Sequence, residues 1–96
     1  MAIAWKPNTR IDLDPDARKD YTFDFEAFIP EGATLTNATV IGSSGITVYD
    51  VTFSGSEVTF WVRDIAEGAN ETATVRVTLS TGLIDDYSLR FRGRHQ

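Results

Sequence analysis

The aspartates Asp12, Asp14 and Asp16 stand at every second position of D-L-D-P-D. This is the spacing at which an EF-hand loop offers its first three carboxylates to calcium. The rest of such a loop is missing. Counted from Asp12, the sixth position is Ala17 where the sharp turn needs glycine, and the twelfth is Phe23 where a bidentate glutamate is needed. Pro15 also holds Asp14 in an extended conformation. The run therefore reads as a solvated acidic arm, and no metal site is expected.

Catalytic chemistry has fewer candidates still. The one histidine, His95, is next to the last residue, where a chain end is too loosely held for acid–base work. Asp85 and Asp86 are adjacent, and neighbouring residues of a strand point to opposite faces, so they cannot act as a facing pair. There is no phosphate-binding glycine loop and no HExxH. No catalytic residue and no cofactor is expected, and the chain reads as a non-enzyme.

Binding chemistry is better represented. Trp61 lies between Thr59 and Arg63 on one side of an alternating segment whose other side is Val58, Phe60 and Val62. If the valines and the phenylalanine face a core, Trp61 faces out, and an exposed tryptophan beside an arginine is the composition of an interface anchor. The competing reading reverses the register or packs Trp61 beneath the polar stretch 64–70. Trp5 sits in a segment containing Pro7 and Asn8 and must dock on its own domain or on a neighbour. Arg90, Arg92 and Arg94 share one side of the last segment. They either guard an edge strand against aggregation or pair with an acidic arm, Asp12 to Asp16, of an adjacent copy.

These residues need a scaffold, and composition bounds it. Ninety-six residues, 42% of them hydrophobic, suffice for one domain. There is no cysteine, which excludes disulfides and thiolate metal sites. The net charge of −5 argues against nucleic acid, which demands a clustered basic surface. No apolar stretch approaches the roughly 20 residues of a membrane helix, and the start MAIAWKPNTR does not read as a signal peptide, so assembly in a cytoplasm is expected. Residues 1–31 carry seven acidic and four basic side chains, whereas residues 83–96 carry two acidic and three basic ones. That asymmetry suits contacts between copies.

Period-2 alternation dominates the chain. Strands are predicted over 21–27, 34–41, 46–53, 57–63, 71–80 and 84–92, with turn chemistry at Pro30–Gly32, Gly42–Gly45, Ser54–Ser56 and Thr81-Gly82. Tyr21, Phe23, Phe25 and Ala27 are placed inside. Six or seven short strands at spacings of about 8–12 residues predict an all-β fold, a small antiparallel β-sandwich of immunoglobulin-like type spanning 21–96. Residues 1–20 are left as an extended N-terminal arm.

A wider pattern joins these pieces: Trp5, then Asp14-Pro15-Asp16, Asp20-Tyr21 with Phe23-Asp24-Phe25, the segment Val58–Val62, and Thr81–Arg92. It resembles small virion proteins of tailed bacteriophages encoded among the head and tail structural genes, and departs from them in a longer acidic segment before Tyr21. The resemblance implies a β-sandwich virion component similar to the adaptors that attach fibres or spikes to a tail or neck. Its partners would be other virion proteins and copies of itself, without nucleic acid or membrane. Capsid decoration and a carbohydrate-binding sandwich with Trp61 stacked on a sugar are the alternatives.

Overall fold

A computed structural model describes residues 2–6 and 9–94; His95 lies outside the described residues. The strands are β1 (Ala2–Ala4), β2 (Arg10–Leu13), β3 (Lys19–Asp24), β4 (Leu35–Gly42), β5 (Thr47–Ser54), β6 (Glu57–Arg63), β7 (Asn70–Leu79) and β8 (Ile84–Gly93), with a short 3-10 turn at Glu26–Phe28. They form two four-stranded sheets in the orders β1-β3-β6-β5 and β2-β8-β7-β4.

Alternation decides what each strand buries. Ala73, Val75, Val77 and Leu79 of β7 face Phe23 of β3 and Val58, Phe60 and Val62 of β6 across the sandwich, all buried. Aromatic rings tie the two layers: Phe60 stacks on Phe23 at 5.9 Å and meets Phe91 of the other sheet edge-on at 6.5 Å. Each such fully buried Val, Leu or Phe contributes about 1.5–3 kcal/mol relative to an exposed one. The β7–β8 hairpin turns through Gly82, whose φ of 91° is a conformation that side chains resist.

The structure corrects the expected topology in three respects. First, the sheets are mixed, because β1 runs parallel to β3 and β2 runs parallel to β8. Second, the segment expected as an arm supplies two of the eight strands found among the described residues. β1 lies in one sheet and β2 in the other, and the segment packs against the core from both. It buries Leu13 completely and packs Trp5 and Ile11 against the core. The connections from β1 to β3 and from β2 to β8 are long enough to permit parallel pairing, which a tight hairpin could not. Third, β8 is no edge: β2 covers one side of it and β7 the other.

The first predicted strand is also shorter than its alternation suggests. Asp24 ends β3 by accepting hydrogen bonds at Oδ1 from the Glu26 amide (2.9 Å) and the Ser56 hydroxyl (2.7 Å). The 3-10 turn that follows exposes Ala27, which had been placed inside.

Candidate interface

The outward face of the β1-β3-β6-β5 sheet holds the most distinctive surface chemistry. Val58, Phe60 and Val62 are wholly buried, so Thr59, Trp61 and Arg63 must face outward. In register, Trp61 stands between Asp20 of β3 and Tyr49 of β5. Its ring stacks on that of Tyr49 at 6.1 Å and 28°. The Arg63 guanidinium carbon lies 5.0 Å from the Tyr49 ring centre, a cation–π arrangement. The Arg63 Nε is also 3.4 Å from Asp64 Oδ2. Trp61 packs on Tyr49 rather than beneath the 64–70 loop, where Ile65 fills the buried position instead.

Around this group the sheet face is small and flat. Thr22 and Thr59 share a hydrogen bond between hydroxyls at 2.8 Å, and Ala2 lies in register beside Thr22. At the edge, β5 breaks register between Tyr49 and Thr52, and Asp50 takes a φ of 52°. Such a bulge interrupts the ladder that another strand would need for pairing. Recognition at this face therefore falls to side chains. Tyr49 was missed by sequence reasoning, although its place two residues after Thr47 and opposite the parity of Ile46 and Val48 marks it as outward.

Trp5 belongs to the domain's own packing. Its Nε1 donates to the Ser88 carbonyl at 3.2 Å, and its amide donates to the Asp24 carbonyl at 3.1 Å. The ring meets Tyr87 edge-on at 4.8 Å and Phe28 at 5.2 Å. Burial, and then the nearby Asp85 carboxylate, push the Tyr87 hydroxyl above its ordinary pKa.

The three aspartates of the acidic run do not converge. Asp12 lies on β2 in register with Arg92, and one of its carboxylate oxygens is screened from solvent without a hydrogen-bond donor. Asp14 Oδ1 accepts from the Asp16 amide at 2.9 Å, and the Asp14 carbonyl accepts from the Ala17 amide at 2.9 Å. The D-P-D run is thus a side-chain-capped turn. Among the described residues no group of three His, Asp or Glu is placed to hold a metal ion.

Arg90 and Arg92 project from the outer face of the β2-β8-β7-β4 sheet. Arg90 lies beside Arg10 and Arg92 beside Asp12. The Arg94 amide donates to the Leu13 carbonyl at 3.0 Å. Of the acidic run, Asp12 neighbours the arginine row within one chain. On the same face Arg76 grips Asp86 through two hydrogen bonds of 2.8 and 3.0 Å, which hold the Asp86 carboxyl below its ordinary range.

A family model described as podophage GP4 fiber-tail adaptor protein gp77 matches residues 13–92. No curated protein matches the chain.

Proposed function

Because the chain belongs to the podophage GP4 fiber-tail adaptor family, we propose that it is a non-enzymatic part of the virion that joins fibre to tail by side-chain packing. The observation that carries this reading is the family match, which covers residues 13–92, from the end of β2 through all but the last residue of β8. The strand orders support an immunoglobulin-like sandwich: β1-β3-β6-β5 and β8-β7-β4 follow the ABED and GFC sheets of that fold, with β2 added beside the last strand. A net charge of −5 favours protein partners over nucleic acid.

The surface best suited to one of those partners is Trp61, Tyr49 and Arg63. Tryptophan, tyrosine and arginine dominate the binding energy of protein interfaces; the two aromatics offer large contact area with few rotamers to freeze, and arginine adds a fixed fork of donors. Here the stack on Tyr49 fixes Trp61 before any partner arrives, which lowers the ordering cost of binding. Neither capsid decoration nor sugar binding gains support from the family match.

The experiment is reconstitution. Purified chain, tail-bearing particles stripped of fibres, and purified fibre are mixed and sedimented. Fibre is expected to travel with particles only when the chain is present. Fibre that attaches equally well without it would remove the adaptor reading.

A further inference from the structure

An adaptor needs a second surface, and the end of the sandwich remote from the 64–70 loop has a different chemistry from the Trp61 row. Three connections meet there. The Phe25 amide donates to the Ser56 carbonyl at 3.0 Å, and the Ser80 amide donates to the Thr34 carbonyl at 2.8 Å. The Ser80 hydroxyl in turn accepts from the Thr34 amide at 3.0 Å. A cleft of about 360 Å³ opens here, lined by Ile29, Pro30, Ala33 and Leu35 with Glu26 and Glu31 beside them. Of the six large apolar side chains left exposed among the described residues, Phe28 (39%), Phe53 (39%), Leu83 (46%) and Ile84 (58%) belong to these connections or their flanks.

Charge is as one-sided as the apolar exposure. Residues 25–35, 53–57 and 79–86 contain Glu26, Glu31, Glu57, Asp85 and Asp86 and no lysine or arginine. Of these, only Asp86 has an ion-pair partner among the described residues, Arg76. Glu26 and Glu31 line the apolar cleft, with Glu57 and Asp85 on the flanks of the neighbouring connections, an arrangement that attracts a cation bearing an apolar stem.

Resting on the adaptor reading, we propose that this end docks a basic, apolar-flanked segment of another virion protein. A lysine or arginine of that segment lays its alkyl stem along Ile29 and Leu35 and brings its charge to Glu26 and Glu31. A second copy of the chain is a poorer occupant. Its Arg10, Arg90 and Arg92 are spread over a flat sheet face, and its Arg18 shares a loop with Asp14 and Asp16, which the glutamates would repel. The domain then offers an aromatic row on one sheet face and an acidic cleft at one tip, two surfaces that select partners of different composition.

The test uses the full chain with Glu26→Lys/Glu31→Lys and with the milder Glu26→Gln/Glu31→Gln. Both pairs are exposed positions, and unchanged thermal melting verifies folding. Two affinities are measured separately, chain for fibre-free particles and purified fibre for chain, at low and high salt. The charge reversal is expected to weaken one of the two by at least about ten-fold, the glutamine pair by less, and salt to weaken the same arm in the unaltered chain. Two unchanged affinities would overturn the proposal. So would a fall in the oligomer mass by light scattering with both affinities retained, since the tip would then serve contacts between copies. If the unaltered chain binds neither partner, the adaptor reading itself fails.

Discussion

The indole Nε1 of Trp5, which follows the first strand of one sheet, donates a 3.2 Å hydrogen bond to the Ser88 carbonyl of the other. A residue near the start of the chain therefore fastens the two layers together. With Tyr87 and Phe28 packed on its ring at 4.8 and 5.2 Å, Trp5→Ala should destabilise the domain by about 2–3 kcal/mol, somewhat less than fully buried aromatics because Trp5 is half-exposed. Trp5→Phe keeps most of the ring contact and loses the hydrogen bond, at a cost of about 1 kcal/mol. Urea denaturation of the two variants separates packing from hydrogen bonding.

Strands β1 and β2 belong to the two sheets, so their removal is a folding experiment and cannot isolate a docking arm. Leu13 is completely buried, and Leu13→Ala should cost about 3 kcal/mol. Deleting β2 altogether uncovers the edge of β8, whose unpaired backbone groups invite association. The expected outcome is a lower melting temperature for the point variant and concentration-dependent aggregation for the deletion, read by light scattering.

Acid should weaken the fold through two carboxylates. Asp24 is held below its ordinary pKa by the Ser56 hydroxyl and then by the Glu26 amide, and Asp86 is held down by Arg76. In both, the folded pKa lies below the unfolded one. Their contribution is therefore complete above the unfolded value of about 3.9 and is lost as pH falls through the folded pKa. The denaturation midpoint of the unaltered chain should fall more steeply below about pH 4 than that of Asp24→Asn/Asp86→Asn, which cannot titrate at either site.

What the sequence disclosed follows from the length of each pattern. Segments of six or more alternating residues, such as Glu71–Ser80 and Glu57–Arg63, fixed their own inward and outward faces, and Trp61 was legible as outward for that reason. The early strands are three and four residues long, too short for periodicity to stand out beside Pro7 and the aspartates. Yet Ile11 and Leu13 alternate with Arg10 and Asp12, a signal that the acidic reading of the run concealed. The run to Ala27 misled because the strand is stopped by a side-chain cap at Asp24, a competition between side chain and ladder that apolar alternation does not register.

Other features depend on distant parts of the chain. Gly93 is buried, and a Cβ there would overlap the Ala66 carbonyl; its own amide and carbonyl bond Ala69 and Gly68 at 2.9 and 2.8 Å. Nothing local in R-F-R-G announces that approach. Likewise Arg90 and Asp12 become neighbours of Arg10 and Arg92 only through a parallel pairing between the two ends of the chain.

The most direct measurement counts fibres. Particles are reconstituted with the unaltered chain or with Trp61→Ala/Tyr49→Ala, and fibres per particle are scored by electron microscopy. Both residues sit on the outer sheet face, so the double variant should stay folded with a stability loss of about 1 kcal/mol from the lost cross-strand pair. The account predicts that fibre occupancy falls at least about ten-fold, as removal of interface anchors does. Full occupancy with the folded double variant would contradict it.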